Sequence, residues 1–130
     1  MTKEKISLGQ EGEDLAIELL KRRGYRILER NVRLQRGEID IVAREGDTLC
    51  FVEVKTRTSA AKGSAIESIS YFKQRKLALL ALTYLKYKRL LEEKARFDVV
   101  AVQKREDGGS QVELIQNAFD LNDAGLTRFR

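Results

Sequence analysis

Two apolar runs on either side of a Gly-Asp dipeptide constrain the fold of this chain more than any other feature. Glu38–Ala43 and Leu49–Lys55 are rich in β-branched residues, and Gly46-Asp47 stands between them. Short runs of this composition, joined by a tight glycine-containing turn, predict a β-hairpin. The turn also predicts which residues of the two strands face each other.

With Gly46 and Asp47 at the centre of the turn, Asp40 is predicted to face Glu53, and Glu38 to face Lys55. Because side chains alternate along a strand, these four should project from one face of the sheet. The other face should carry Ile39, Ile41, Val52 and Val54.

Facing carboxylates repel each other unless a cation lies between them. Mg²⁺ suits such a place, because it binds oxygen ligands and often adds water and phosphate oxygens. Lys55 could then orient the attacking water or stabilise developing charge. The alternative is a solvated hairpin face in which Lys55 pairs with Glu38. The metal is favoured because isoleucines bracket Asp40 and because Glu13 points from a helix edge toward the interior.

The remaining pattern predicts one domain over residues 1–130, of the α/β class, in the order α-β-β-β-α-β-β. A capping box of Ser7 and Gln10 predicts a helix over about 8–23 that stops at Gly24, and a second box, Ser64 with Glu67, predicts a helix to about Lys88. The other predicted elements are strands at 25–34, Phe97–Val102 and Gln111–Ile115, and a tail of helix or coil over Phe119–Arg130.

Composition narrows the chemistry. The 130 residues include no histidine and one cysteine, Cys50, which is expected to be buried. Catalytic triads and the usual zinc ligand sets are thereby excluded, so carboxylates, lysine and hydroxyls remain. The net charge of +5 suits an anionic partner such as nucleic acid. Neither a membrane span nor a signal peptide is found, so a cytoplasmic protein is expected.

Specific segments resemble a known family. Gly37–Val42 and Phe51–Arg57 look like the D-(x)n-E-x-K signature of the PD-(D/E)xK nuclease superfamily. Together with helical Glu13 and the strand Arg96–Val100, they resemble its YraN-like family of uncharacterised bacterial proteins, over Gly9 to about Val102. Ile39 stands where the signature often has proline.

This resemblance implies a restriction-endonuclease-like core, with a mixed β-sheet flanked by helices, related in pattern to Holliday junction resolvases. It implies that Asp40 and Glu53 bind Mg²⁺ or Mn²⁺ and that Lys55 is the catalytic lysine. Glu13 would assist the metal site.

Other residues are candidates for contacts with nucleic acid. Lys73 and Gln74 match a Lys-Gln pair of the family, although Lys73 could equally be a side chain snorkelling from the edge of the core. Arg36 and Arg57 flank the predicted site, where they could contact phosphates. Four aromatic residues are expected in the core rather than at a base-stacking surface, namely Tyr71, Phe72, Tyr84 and Tyr87.

The leading hypothesis is a metal-dependent nuclease that hydrolyses DNA phosphodiester bonds, including branched or junction DNA if the resolvase resemblance extends to substrate. A symmetric junction would call for a homodimer. The alternatives are a nucleic-acid-binding module of the same fold that does not cut, and a protein-interaction domain whose acidic face docks a basic surface.

Overall fold

A computed structural model of the chain describes residues 3–59 and 61–119. The α-β-β-β-α-β-β order predicted from the sequence is confirmed. The predicted tail lies, beyond Phe119, outside the described residues. The elements are α1 (Lys3–Arg22), β1 (Arg26–Leu34), β2 (Gly37–Glu45), β3 (Thr48–Arg57), a 3₁₀ helix (Ile66–Ser68), α2 (Tyr71–Tyr87), β4 (Lys94–Lys104) and β5 (Ser110–Ile115).

The five strands form one mixed sheet, as predicted, in the order β1-β2-β3-β4-β5. Strands β3 and β4 are parallel, and the other neighbours are antiparallel. Parallel neighbours need a crossover connection, which α2 supplies. The sheet's centre is therefore β3, which pairs with the hairpin strand β2 on one side and with β4 on the other.

Each face of the sheet carries one helix and one hydrophobic cluster. The α1-face cluster includes Ala16, Leu20, Ile41, Cys50, Val52 and Val100. The α2-face cluster includes Val42, Phe51, Leu77, Ala81, Tyr84 and Phe97. Cys50 is fully buried, as predicted. Strands covered on both faces explain why β3 reads as a nearly continuous apolar run up to Val52.

The predicted start of α1 is wrong, whereas its end is confirmed. The helix begins at Lys3, so Ser7 lies inside it rather than at its cap. Gly24 has a φ of 88°, and Tyr25 N donates to Leu20 O at 2.9 Å while Gly24 N donates to Lys21 O at 3.1 Å. These two bonds form a Schellman motif, in which glycine adopts the left-handed conformation without steric strain. In the described part of the chain, no helix is long and apolar enough to cross a membrane.

The predicted start of the second helix is also wrong. Ser64 and Glu67 do form a capping box, since Glu67 N donates to Ser64 Oγ at 3.2 Å, but it precedes only the short 3₁₀ helix. The true N-cap is Ser70, whose Oγ accepts from Lys73 N at 3.1 Å. A capping box identifies a helical start without fixing the length of the helix.

Three of the four aromatic residues expected in the core are exposed. Tyr84 is buried as predicted, but Tyr71 is 54% exposed, Phe72 79% and Tyr87 78%. Phe72 lies five residues from the buried Leu77, which is about 140° around a helix. That separation places Phe72 away from the sheet.

The predicted division of the hairpin into two faces fails at Asp40. Ile39 lies in the α2-face cluster, whereas Ile41 lies in the α1-face cluster. Regular alternation would place both on one face. The residue of β1 that lies opposite Asp40 is Asn31, which has a φ of 51°. The β1–β2 pairing skips both residues. The side chains of the β1–β2 hairpin therefore exchange faces of the sheet at this position. As a result, the Asp40 carboxylate points into the space between β2 and β3.

Candidate metal centre

The site lies where strands β2 and β3 separate. Their ladder runs from Glu45–Thr48 to Ile41–Val52, in the register that the turn predicted, and ends there. Beyond Val52, strand β3 continues to pair only with β4. The backbone N–H of Val54 consequently has no backbone partner on β2, and it donates to the Asp40 side chain, at 2.9 Å from Oδ2. The Asp40 side chain thus accepts the hydrogen bond that a backbone carbonyl of β2 would accept in a continuous ladder.

Asp40 and Glu53, predicted to face each other, are brought together by this opening. Their carboxyl groups lie close enough to interact by hydrogen bonding, which requires that one of them be protonated. Burial, and next the bond to and charge of Glu53, raise the pKa of Asp40 to about 8. The Val54 N–H and the charge of Lys73 oppose that shift without cancelling it. Two carboxyl groups this close cannot both ionise freely unless a cation joins them.

Glu13 reaches the same region from α1. Gly12 lies so close to β3 that a Cβ at that position would overlap Thr56 Oγ1, so the helix packs tightly at this end. Burial, and next the charge of Asp40, raise the pKa of Glu13. A hydrogen bond with Asn31 and the charge of Arg30 oppose that shift.

Asn31 is a site residue that the sequence analysis missed. Its side chain hydrogen-bonds Glu13, and its backbone lies where the β1–β2 ribbon changes sides. The available signal was an asparagine inside a strand pattern, since asparagine tolerates positive φ better than most residues.

Two lysines lie on the α2 side of the carboxylate pair. Lys73 Nζ is 3.5 Å from Glu53 Oε2, so the helix places this cation at the site. Lys55 is half-buried and follows Glu53 by two positions on β3. Alternation therefore puts Lys55 on the same face as Glu53.

Glu38 does not pair with Lys55 as predicted, because the β2–β3 ladder ends before reaching them. Glu38 instead lies opposite Arg33 on β1, with Arg33 Nε 3.6 Å from Glu38 Oε2. Glu38 still contributes negative charge near Glu13, where it helps to raise the pKa of that residue.

The structure gives Arg57 and Gln74 internal hydrogen bonds. Arg57 donates through Nη1 to Gly63 O at 2.8 Å and through Nη2 to Lys62 O at 2.5 Å, and so holds the loop after β3. Gln74 Nε2 donates to Ile69 O at 3.1 Å beside the start of α2. Arg36 is exposed in the β1–β2 turn.

The donor set fits a hard divalent cation. Carboxylate oxygens are what Mg²⁺ and Mn²⁺ prefer, and a cation between Asp40 and Glu53 would offset the repulsion of their two negative charges. Within residues 3–59 and 61–119, no three acidic, cysteine or histidine side chains converge as a ligand group. The protein therefore offers a pair of ligands, with Glu13 as a charged neighbour.

Comparison with known proteins identifies the family. The model of the Uncharacterised protein family UPF0102 matches residues 12–102, which include every carboxylate of the site. The chain belongs to this family. A UPF0102 protein of Geotalea uraniireducens (strain Rf4) is 50% identical over 115 residues, covering 88% of this chain and 91% of the relative. The YraN-like resemblance is thereby confirmed.

Other family members are similar over comparable lengths. A UPF0102 protein of Geobacter sulfurreducens is 48% identical, covering 88% of this chain and 89% of the relative. Among solved structures, Pyrococcus furiosus SfsA in complex with Ca²⁺ is 15% identical with a TM-score of 0.40. That likeness covers 86% of this chain, which spans 63% of the SfsA chain.

Proposed function

We propose that this UPF0102 protein is a nuclease that hydrolyses DNA phosphodiester bonds with Mg²⁺ or Mn²⁺ held by Asp40 and Glu53. The observation that carries the proposal is the close pair of carboxyl groups at the open end of the β2–β3 ladder, with lysines on the same side. A structural role alone gives no reason to keep two acids so close at a physical cost.

Each residue has a distinct role in the proposal. Asp40 and Glu53 bind the cation through their oxygens, and the Val54 N–H orients the Asp40 carboxylate. Lys55 orients the attacking water or stabilises charge on the phosphate. Lys73 balances Glu53 before substrate binds and contacts the phosphate afterwards. A bound divalent cation supplies Lewis acidity and a more acidic water.

Glu13 enters the proposal as a neighbour of the ligands. Its raised pKa reflects burial and the charge of Asp40. A cation beside Asp40 would favour the charged form of Glu13, which could then hold a water of the cation's shell.

The direct test is cleavage of labelled duplex, single-stranded, flap and four-way-junction DNA with Mg²⁺ or Mn²⁺. We expect cutting that stops when the metal is chelated. Glu53→Gln and Lys55→Ala should each lower the rate about 100-fold or more. Glu113→Gln and Lys94→Ala are matched controls, because both change exposed strand residues away from the site, and both should cut like the wild type.

A second candidate is a nucleic-acid-binding module that does not cut. It is favoured by the finding that the described residues provide two convergent carboxylates and not three. Metal-independent binding with no cleavage of any substrate would support this candidate. Cutting that survives both site variants would contradict the proposed site.

A further inference from the structure

A cleft lies between α2 and the β1–β2 turn. Its volume is about 480 Å³, within the range of sites that hold small organic groups. Gly37 packs against two of its lining residues, because a Cβ there would lie 3.1 Å from Leu80 Cδ1 and 3.3 Å from Lys76 Cε. Its lining combines apolar and cationic side chains, among them Leu34, Arg36, Phe72, Arg75, Lys76 and Leu79.

The cleft exposes apolar surface that packing among the described residues does not cover. Phe72 is 79% exposed and Leu79, two turns further along α2, is 47% exposed. An aromatic ring held on a rigid helix costs little entropy to use as a contact. Its face is available to a flat partner.

Cations surround this apolar surface. Arg36 approaches from the turn, and Arg75 and Lys76 from the helix, while no acidic residue lines the cleft. Across the described ranges, none of these three cations has an acidic partner within ion-pair distance. The matching occupant combines negative charge with flat apolar rings. Single-stranded nucleic acid has both, whereas a duplex keeps its base faces stacked inside.

The cleft and the candidate metal centre are built from the same two parts of the chain, namely α2 and β2 with the turn that leads into β2. Lys73, which contacts Glu53, is the residue directly after Phe72. Gly37 precedes Asp40 by three positions on β2, which is about 10 Å along a strand. A strand whose phosphate lies at the carboxylate pair would thus place nearby nucleotides in the cleft.

We propose that this cleft binds an unpaired stretch of DNA beside the cleaved bond. A base stacks on Phe72, while Arg36, Arg75 and Lys76 contact phosphates. The identity of the adjoining bond rests on the proposed function. The binding itself does not, so the two can fail separately.

The test compares two single strands that differ only in their bases. Fluorescence anisotropy measures binding of labelled oligothymidylate of about 12 nucleotides, a length in the range of single-strand site sizes. An abasic strand of equal length and charge is the second probe. Both are measured in a chelator, so that cleavage plays no part. Phe72→Ala removes the ring, Phe72→Trp retains one, and Tyr87→Ala removes an equally exposed aromatic of α2 outside the cleft.

We expect the wild type to bind oligothymidylate more tightly than the abasic strand. Phe72→Ala should weaken binding of oligothymidylate about tenfold, equivalent to about 1.4 kcal/mol, and leave the abasic strand almost unchanged. Phe72→Trp should restore the preference, and Tyr87→Ala should not affect it. Arg75→Ala should weaken both probes alike and reduce the salt dependence of binding.

Equal binding of the two probes by the wild type would overturn the inference. So would a Phe72→Ala variant that keeps the preference, or a Tyr87→Ala variant that loses it. Base-dependent binding without any cleavage would uphold the cleft and remove the proposed nuclease. Cleavage with no base-dependent binding would do the reverse.

Discussion

Two carboxylates of the sheet, Asp98 on β4 and Asp40 on β2, are satisfied in opposite ways. Asp98 is fully buried and accepts hydrogen bonds from Tyr25 Oη at 2.7 Å, from Arg96 Nε at 2.9 Å and from Asn117 N at 2.9 Å. Asp40 accepts one backbone N–H and otherwise meets another acid. The difference separates a carboxylate compensated by donors of the fold from one that the fold places beside a second acid.

The compensation of Asp98 belongs to a structural network. Arg96 also contacts Glu45 Oε1 at 2.6 Å, so it ties β4 to the hairpin. Burial disfavours the charge of Arg96, but its bonds to Asp98 and Glu45 outweigh burial and raise its pKa. The oxygens of Asp98 are thus engaged by donors of the fold. Asp40 instead lies beside a second acid, and a divalent cation would favour the charged forms of both.

The largest expected effect is on the compensated carboxylate. Asp98→Ala leaves the Arg96 guanidinium without its buried partner, and we expect it to lower the free energy of unfolding by about 3–5 kcal/mol. Chemical denaturation measures this. Glu18→Ala, which removes an exposed carboxylate of α1, is the control and should leave the unfolding midpoint close to wild type. A small decrease in the free energy of unfolding of Asp98→Ala would contradict the claim that Asp98 and Asp40 are stabilised differently.

Asp40→Asn should change the free energy of unfolding in the opposite direction from Asp98→Ala. The amide oxygen can accept from the Val54 N–H, and the amide N–H can donate to Glu53 without protonation of either side chain. In metal-free protein above pH 8, we expect it to raise the free energy of unfolding by about 1–2 kcal/mol, because one buried charge is removed. Asp14→Asn, an exposed carboxylate on α1, is the matched control. Destabilisation by Asp40→Asn would show that Asp40 is compensated after all.

The stability gained by Asp40→Asn should depend on pH, which further distinguishes Asp40 from Asp98. The pKa of Asp40 is raised from 3.8 to about 8 on folding, so its stabilising contribution is complete below 3.8 and is lost as pH rises toward about 8. The advantage of Asp40→Asn over wild type should therefore grow across this window in metal-free protein. Denaturation curves at several pH values measure it, and a pH-independent difference would contradict the assigned pKa.

The smallest effect is expected at Lys73. Its ion pair with Glu53 is half exposed on the lysine side, so Lys73→Met should change the free energy of unfolding by less than about 1 kcal/mol. The pKa of Asp40 should rise, however, because the charge of Lys73 lowers it in the wild type. NMR titration of the carboxyl carbons measures this. Lys86→Met, on an exposed position of the last turn of α2, should leave the pKa of Asp40 unchanged.

The hairpin register could be predicted because the turn residues fix it locally. Every observed pair from Ile41–Val52 to Glu45–Thr48 follows from placing Gly46 and Asp47 at the turn. The end of that ladder could not be predicted in the same way. It depends on the change of sides at Asn31 and Asp40, which β1 and β2 share, and therefore on tertiary pairing.

The site shows the same limit. The sequence predicted that Asp40 meets Glu53, because one turn relates them, but it paired Glu38 with Lys55 by extending the register too far. The exposure of Phe72 was predictable from helical periodicity once Leu77 was placed in the core, but the wrong helix start obscured it. The partners of Asp98 lie far away along the chain, where local pattern carries no information.

Thermal unfolding of wild type and Asp40→Asn with increasing Mn²⁺ tests the central claim most directly, namely that the Asp40–Glu53 pair binds a divalent cation. Near pH 8, about half of the Asp40 carboxyl groups are ionised. Wild type should gain stability as Mn²⁺ is added, by about 2.7 kcal/mol at a metal concentration 100 times Kd, and Asp40→Asn should not. Equal stabilisation of both proteins, or none of the wild type, would contradict the account.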